Sequence, residues 1–386
     1  MKGLQQLINQ LCPNGVEWKT LGKLCEINKG EQLNKENMSE VGSYPVINGG
    51  ICPSGYVEVY NQPKDTITIS QGGASAGYVN WMKTEFWAGA HCYVVIPNKE
   101  IVSNRYVYHY VKSIESKLQE CQYGAGIPAL AKKTVEQVQI PLPPLAIQSR
   151  IVEILDHFTN LTANLTAELA LRRKQFEHFR EKLLSLDGVE GVEWKALKEV
   201  FTTRNGYTPS TSNQDFWENG TIPWFKMEDI REKGRILSDS ANHITPAAIK
   251  GKGLFKANSI ILATSATIGE HALITVDHLS NQRFTNFYPK EDYASILDMK
   301  FVYYYFFIID NWCKEHTVQG NFAGVNMTEL YNCQIPVPPL AVQQSIVAKL
   351  DKFTALIQNI ENELALRQKQ YEYYREKLLS FPSPSL

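Results

Sequence analysis

The sequence predicts an α+β protein in which two globular α+β domains are separated by two long helices paired as an antiparallel coiled coil. Three observations lead to this fold class. A stretch of 45 residues occurs twice, both copies carry a heptad pattern of apolar residues, and the segments between the copies mix strand and helix patterns. The 386 residues are enough for two or three domains with cores of their own.

The repeat is the strongest feature of the sequence. Residues 141–185 and 336–380 align without a gap and are identical at 28 of 45 positions. A second landmark, Gly-Val-Glu-Trp-Lys, opens each half at residues 15–19 and 191–195. Between these landmarks the two halves barely resemble each other. The same flanking segments therefore occur twice in the chain, and the sequences that they enclose differ.

Each copy of the repeat predicts one long helix. A double proline at residues 143–144 and 338–339 suits a first helical turn, and the apolar residues that follow recur at spacings of three and four for about five heptads. Each helix of roughly 40 residues would span about 60 Å. An apolar stripe of this length needs a partner, and the other copy supplies one. Antiparallel pairing would place the variable domains at opposite ends of a rod.

The landmarks divide the chain into four segments. These are a first variable domain (residues 1–140), a first spacer helix (141–186), a second variable domain (187–335), and a second spacer helix with a C-terminal tail (336–386). We expect strands at residues 66–70, 93–97, 259–263 and 284–289, and helices at 104–117 and 299–316. We also expect the two chain ends to lie near each other, because the first residues match the end of the first spacer helix.

Composition is that of an ordinary soluble protein, with 44% hydrophobic residues and a formal net charge of −1. Residues 1–140 carry 13 Lys+Arg against 12 Asp+Glu, and residues 187–335 carry 14 against 18. The seven cysteines form no Cys-x-x-Cys pair, so neither a zinc site nor a disulfide framework is expected. No apolar run approaches the ~20 residues of a membrane helix. We therefore expect a cytoplasmic protein.

Motifs for catalysis are missing from the sequence. The double prolines lack the polar and aromatic neighbours that a DNA amino-methyltransferase needs. A Glu-x-Lys triplet, at residues 17–19 and 193–195, could belong to a nuclease, but a structural place at the entry of each half is the better interpretation. The glycine-rich segment 71–77 lacks the Lys-Ser/Thr end of a phosphate loop and predicts a tight turn. We expect no catalytic residue and no metal site.

The order of these parts resembles that of the specificity subunit of type I restriction–modification enzymes. In that family two variable domains are each followed by a Pro-x-Pro-Pro-Leu-Ala motif, here at residues 141–146 and 336–341, and by a long helix with Glu-Leu-Ala-Leu-Arg and Arg-Glu-Lys-Leu-Leu. The resemblance covers nearly the whole chain. Residues 205–210 and 222–224 of the second domain, and 42–50 of the first, are similar to common landmarks of such domains.

The resemblance implies a function. Each variable part would be a target recognition domain that reads one half of a split site in double-stranded DNA. The paired helices would set the gap between the half-sites and dock DNA methyltransferase subunits, two in number, and a motor-nuclease restriction subunit would be a further partner. S-adenosylmethionine, ATP and magnesium would belong to those partners, and this chain would bind no cofactor. The alternative is a non-catalytic coiled-coil scaffold that binds only proteins.

Turn position and side-chain chemistry nominate candidate DNA-binding residues in both domains. Guanidinium and amide groups suit guanine and adenine edges, and hydroxyls suit either. In the first domain the candidates are Gln71, Ser75, Tyr78, His91 and Lys132. In the second domain they are Arg204, Tyr207, Lys226, Thr264, Ser265, Thr267, Gln282 and Arg283.

Overall fold

The computed structural model describes residues 2–124, 126–251, 253–318 and 324–382. The chain divides into two compact units, unit 1 with residues 1–168 and 360–386, and unit 2 with residues 169–359. The four linear segments expected from the sequence stay a prediction, because each unit combines one variable part with portions of both long helices.

Unit 1 begins with an amphipathic helix and contains a two-stranded, a three-stranded and a four-stranded sheet. Its helices are α1 (Lys2–Leu11), α2 (Leu21–Leu24), α3 (Asn104–Ser113), α4 (Glu115–Glu120), α5 (Lys132–Glu136) and the first part of α6 (Leu145–Leu184). Its strands are β1 (Trp18–Thr20), β2 (Cys25–Lys29), β3 (Tyr44–Ile47), β4 (Gly55–Val57), β5 (Thr66–Ser70), β6 (Val79–Met82), β7 (Trp87–Ala88), β8 (Cys92–Pro97) and β9 (Gln139–Pro141).

Unit 2 has a similar order of elements with several additions. Its helices are the remainder of α6, α7 (Leu197–Val200), α8 (Met227–Lys233), α9 (Glu291–Ala294), α10 (Met299–Glu315), α11 (Met327–Asn332) and the first part of α12 (Leu340–Leu379), whose last part belongs to unit 1. Its strands are β10 (Glu193–Ala196), β11 (Phe201–Asn205), β12 (Ile222–Phe225), β13 (Ile236–Leu237), β14 (His243–Ile244), β15 (Ser259–Ala263), β16 (His271–Ile274), β17 (Leu279–Ser280), β18 (Phe284–Pro289), β19 (Thr317–Val318), β20 (Gly324–Val325) and β21 (Gln334–Val337). Among the additions are α8, β13 and the β19–β20 hairpin.

The two variable domains share one topology although their sequences differ. The main sheet has the strand order β2-β8-β5-β6 in unit 1 and β11-β18-β15-β16-β13 in unit 2. A smaller three-stranded sheet accompanies each, β4-β3-β7 and β14-β12-β17, and in both the last pair is parallel. The predicted α+β class is therefore confirmed.

The two landmarks of the repeat pair with each other. Strand β1 runs antiparallel to β9 with Trp18 opposite Pro141, and β10 runs antiparallel to β21 with Trp194 opposite Pro336. Each variable domain is thus closed at its base by a two-stranded ribbon, which brings the start and the end of the domain together. This pairing gives both landmarks a structural reason to be repeated.

The long helices confirm the heptad prediction, and in each unit the start of one meets the end of the other. In unit 1, Phe158 of α6 stacks on Tyr374 of α12 with ring centroids 5.4 Å apart. In unit 2, Phe353 of α12 stacks on Phe179 of α6 at 5.2 Å. The two helices therefore run antiparallel within each unit. In the described ranges, no helix is both long enough and apolar enough to span a membrane.

The chain ends meet in unit 1, as the sequence predicts. Leu4 of α1 shares the apolar core with Leu378 and Phe381 near the end of α12. The Val16 amide also donates a hydrogen bond to the Pro382 carbonyl at 3.2 Å. The end of α12 thus packs in unit 1 as the end of α6 packs in unit 2, where Leu184 and Leu186 belong to the apolar core.

The strands expected at residues 66–70, 259–263 and 284–289 have those bounds, whereas the helix expected over residues 104–117 is divided. Helix α3 ends at Ser113, and Ile114 leaves the helical conformation with φ −108° and ψ 14°. The break lets the Glu115 carboxylate accept from the Val79 amide of β6 at 2.7 Å and from Lys112 at 2.6 Å. A tertiary contact with the sheet therefore overrides the helical pattern.

In both units a glycine follows the first strand of the main sheet and lies against a strand of the smaller sheet. A Cβ atom on Gly30 would lie 2.3 Å from the Ala88 carbonyl oxygen, and one on Gly206 would lie 2.2 Å from the Ser280 carbonyl oxygen. Both obstacles are backbone atoms of strands β7 and β17, which cannot rotate away. Only glycine fits this crossing point.

Replacing this glycine is expected to destabilise its own unit. Gly206→Ala should lower the free energy of unfolding by about 1–3 kcal/mol, because the added methyl forces two backbones apart. Chemical or thermal unfolding followed by circular dichroism measures the change. Gly324→Ala is the matched control in unit 2, since among the described residues its Cβ would meet only the Thr264 carbonyl, at an ordinary 3.8 Å. Equal stability of the two variants would contradict the prediction.

Candidate nucleic-acid interface

Most of the nominated residues lie at one edge of each main sheet. In unit 1, Lys29 at the end of β2 is opposite Tyr93, and Ser70 at the end of β5 is opposite Cys92, so two strands end where β8 begins. We call this the loop edge. The loop edge of unit 2 is formed in the same way by the ends of β11 and β15 and the start of β18.

Gln71 and His91 are neighbours at the loop edge of unit 1. The Gln71 amide nitrogen donates to the His91 carbonyl at 2.9 Å, and the His91 side chain is exposed. With its side-chain amide oriented to satisfy both neighbours, Gln71 accepts from Lys29 Nζ and donates to the Ala90 carbonyl, each at 3.2 Å. The edge thus presents an imidazole, an amide and an ammonium group together.

Ser75 and Tyr78 form the turn that follows β5. The Tyr78 amide donates to the Ser75 carbonyl at 2.9 Å, and the Tyr78 ring lies under Lys112 Nζ, 4.4 Å from its centroid. Burial raises the pKa of the Tyr78 hydroxyl. Tyr78 is therefore held by helix α3. Lys132 lies on α5, exposed, and pairs with Glu136 at 3.4 Å.

Thr264 and Arg283 occupy the equivalent places in unit 2. The Thr264 amide donates to the Arg283 carbonyl at 3.0 Å, the same bond that joins Gln71 to His91. The Thr264 hydroxyl lies 3.1 Å from that of Thr285, which donates to Asn205 Oδ1 at 2.9 Å. The Arg283 side chain is exposed and has no polar contact with any residue in the described ranges. Its guanidinium is available to a ligand.

Gln282, Ser265 and Thr267 complete this edge. Gln282 is exposed and accepts from the Thr208 hydroxyl at 2.5 Å. Ser265 bridges to Gly324 of the β19–β20 hairpin, and Thr267 Oγ1 is buried without a partner among the described residues. The loop edge of unit 2 therefore offers a guanidinium, an amide and hydroxyl groups.

Three other nominated residues have structural roles within unit 2. Arg204 Nη2 donates to the Gly253 carbonyl at 2.7 Å, and its guanidinium lies 4.2 Å from the centroid of the Phe255 ring. The Tyr207 hydroxyl donates to the Ala248 carbonyl at 3.1 Å. Lys226 precedes helix α8 as its N-cap and lines an open cavity of about 720 Å³ beside Trp217 and Trp224.

The buried layer beneath Arg204 carries a histidine that is neutral in the folded chain. His278 Nδ1 donates to the Val276 carbonyl at 2.9 Å, and Nε2 lies 3.4 Å from the Asn286 amide nitrogen. Burial lowers the pKa of His278 to about 4. The described residues contain no group of three or more His, Cys, Asp or Glu side chains that could hold a metal ion.

The family model described as the type I restriction modification DNA specificity domain matches residues 13–171 and, a second time, residues 190–366. Together the two matches cover most of the chain. The chain belongs to the type I restriction–modification DNA specificity family. Each half of this specificity-family chain thus carries one specificity domain, in agreement with the internal repeat.

Curated relatives carry the same family name. The EcoprrI specificity subunit of Escherichia coli is 52% identical over 214 residues, a match that spans 53% of this chain and 53% of that relative. The EcoR124I/EcoR124II specificity subunit of Escherichia coli is 34% identical over 401 residues, 96% of this chain and 95% of the relative. The second relative therefore has the organisation of this chain from end to end.

Solved structures share the fold. The crystal structure of the type I restriction–modification S subunit from M. genitalium has a TM-score of 0.66 at 19% identity, covering 95% of this chain and 96% of that chain. A structure of the type I R-M system, described as showing complex assembly and conformational transition, has a TM-score of 0.61 at 18% identity, covering 95% and 98%. At these identities the likeness concerns the fold alone.

Sequence reasoning did not find Lys29, which the structure places beside Gln71. The signal was present but could not be recognised. Lys29 precedes Gly30 as Asn205 precedes Gly206, yet one shared glycine gives no alignment between two otherwise unlike domains. Only the strand register makes the two positions equivalent.

The two arginines nominated in unit 2 are expected to respond differently to removal. Arg204→Ala should lower the free energy of unfolding by about 1–2 kcal/mol, because it removes a hydrogen bond and a cation–π contact. Arg283→Ala should change it by less than about 0.5 kcal/mol, because its side chain is exposed. Thermal unfolding of the two variants measures the difference.

For the free energy of DNA binding we expect the opposite order, with the larger loss in Arg283→Ala. If Arg283 contacts a base, its removal should cost about 1–3 kcal/mol of binding and relax one position of the target. Binding of the assembled complex to matched and singly mismatched duplexes tests this. An unchanged mismatch profile removes Arg283 from the interface.

Proposed function

We propose that this specificity-family chain recognises a bipartite site in double-stranded DNA, one half-site per variable domain, and catalyses no reaction itself. Its repeated helices dock two DNA methyltransferase subunits and set the gap between the half-sites. A motor-nuclease subunit is a further partner. The partners carry S-adenosylmethionine, ATP and magnesium, and this chain carries no cofactor.

One observation supports bipartite recognition above all others. The same loop edge is built twice, with the same backbone bond, but it carries Gln71 and His91 in unit 1 and Thr264 and Arg283 in unit 2. Base edges in the major groove differ in their donor and acceptor patterns. Two similar scaffolds with different hydrogen-bonding groups suit two different half-sites.

The charge of the chain supports a division of labour. Residues 187–335 carry 14 Lys+Arg against 18 Asp+Glu, and the whole chain has a net charge of −1. Neutralising phosphates supplies a large share of DNA affinity. A chain without an excess of positive charge needs partners that supply basic residues around the DNA.

Exposed positions of the repeat support docking of two identical subunits. Leu145 and its repeat equivalent Leu340 are 42% and 37% exposed, and Leu171 and its equivalent Leu366 are 54% and 50% exposed. Because these leucines are exposed, packing within the coiled coil does not explain why they occur in both copies. Identical apolar residues on two equivalent surfaces suit two copies of one protein partner.

All seven cysteines carry free thiols, in keeping with a place in the reducing cytoplasm.

The division of labour has a direct test. The isolated chain should bind duplex DNA only in the non-specific range, with a Kd on the order of 10⁻⁶ M or weaker at physiological salt. Adding methyltransferase subunits should tighten binding to the cognate duplex by about a thousandfold or more. Labelled S-adenosylmethionine should give methylated DNA only with the complex. Specific nanomolar binding by the chain alone would contradict the proposal.

The exposed leucines predict the stoichiometry of docking. Leu171→Asp or Leu366→Asp should each remove one of two methyltransferase subunits, and the double variant should remove both, because a charge in a desolvated contact costs about 2 kcal/mol or more. Mass photometry of the complexes counts the subunits. Tyr373→Asp is the matched control, since Tyr373 is 58% exposed on the same helix but its repeat equivalent is His178. Two bound subunits in every variant would exclude these leucines from the interface.

A further inference from the structure

Near the start of each long helix, a fully buried glutamine forms hydrogen bonds only with backbone atoms among the described residues. In unit 1, Gln148 Nε2 donates to the Pro143 carbonyl at 2.8 Å and to the Ile101 carbonyl at 3.4 Å. Its Oε1 accepts from the Ser103 amide at 2.7 Å. Gln148 thereby ties the first turn of α6 to the segment that leads into α3 of the variable domain.

Unit 2 repeats this arrangement at positions 195 residues later. Gln343 Nε2 donates to the Pro338 and Ile296 carbonyls, both at 2.8 Å, and Oε1 accepts from the Asp298 amide at 2.8 Å. Both glutamines are 0% exposed. We call each set of three bonds the backbone clamp of its unit.

Two helical turns further on, an aspartate makes a second contact with each domain. In unit 1, Asp156 Oδ1 accepts from Arg105 Nε at 2.8 Å and from His109 Nε2 at 2.7 Å. Burial lowers the pKa of His109, although its bond to Asp156 opposes the shift. Burial opposes ionisation of Asp156, but the bonds from His109 and Arg105 hold its pKa below the usual value.

In unit 2 the same aspartate position meets different partners. Asp351 Oδ2 accepts from Lys300 Nζ at 2.7 Å, and Asp351 Oδ1 accepts from the Tyr304 hydroxyl at 2.7 Å. Burial and the bond to Asp351 raise the pKa of Tyr304. The helix residues are thus the same in both units, and the domain residues that meet them differ.

The clamp and the aspartate contact constrain the domain in complementary ways. A backbone clamp does not depend on which side chains the domain carries, so it accepts any domain sequence. The aspartate then needs only a donor at two positions one helical turn apart. Two contact points separated by two turns, about 11 Å along the helix, fix both the height and the rotation of a domain on its helix.

We propose that Gln148 and Gln343 are positioning residues that fix the register of each recognition domain on its helix and thereby determine the gap between the half-sites. The inference rests on the proposed function, because the gap exists only if both domains read one DNA molecule. A domain that loses its clamp keeps its loop edge, so it reads the same half-site. What it loses is a defined position along the helix.

The test is genome-wide methylation mapping with complexes that contain Gln148→Met or Gln343→Met. Methionine keeps the length and fills the volume of glutamine but offers no N–H donor. Each variant should keep both half-site sequences and increase methylation at sites whose gap differs by one base pair by about tenfold, the scale of one lost base-pair contact. Melting temperature should fall by roughly 4–8 °C, because buried backbone groups lose their partners.

The repeat supplies a matched control. Gln175 and Gln370 are the other glutamine pair that is identical in both copies, and each accepts from an arginine of its own helix, Arg172 and Arg367. Gln175→Met and Gln370→Met should leave the permitted gap unchanged. Equal relaxation of the gap in these controls would assign the effect to the helix and overturn the proposal.

A second variant covers the case in which a clamp variant fails to fold. Asp156→Asn keeps the size of the side chain, lies at a half-exposed position, and should relax the gap in the same direction. Mapping is done well below the melting temperature of each variant. Variants that are folded but hold the wild-type gap would overturn the positioning role. A wild-type complex that methylates no bipartite site would instead overturn the proposed function.

Discussion

Burial of the apolar stripe on two 40-residue helices is the constraint on which the rest of the structure depends. A helix of this length with apolar residues at spacings of three and four cannot leave its stripe in water. Phe158 and Tyr374 in unit 1, and Phe353 and Phe179 in unit 2, show how the stripe is covered, each start against the other end. Because a start must meet an end, each unit contains parts of both helices, and each needs residues distant in sequence.

The same constraint explains how the chain closes. The end of α6 continues covalently into the ribbon strand β10, whereas the strand β1 has no preceding long helix. The end of α12 takes that place in unit 1, and Leu4 of helix α1 packs with its Leu378 and with Phe381. The two ribbons then join the entry of each domain to its exit. A domain can therefore change its content without disturbing the helices that carry it.

The repeated segments are alike and the variable domains are unlike for one physical reason. Strands of a buried sheet require apolar residues and a register, and many sequences satisfy both. The two main sheets accordingly share one order of four strands, to which unit 2 adds β13, with almost no sequence in common. Specific side chains are needed only where backbones cross, as at Gly30 and Gly206, or where a helix must hold a domain, as at Gln148 and Gln343. The loop edges lie at neither kind of position, so their side chains can differ between the two units.

The sequence by itself determined the repeat, the helices and their antiparallel pairing, because heptad periodicity is local and two copies can be compared directly. It also located strands β5, β15 and β18, whose apolar runs end at turn residues. The division of α3 from α4, the equivalence of Gln71 with Thr264, and the inward role of Arg204 were decided only by tertiary structure. Each depends on which backbone lies opposite: Val79 for Glu115, His91 for Gln71, and Gly253 for Arg204. These pairings join residues 20 to 49 positions apart, and no local pattern in the sequence links them.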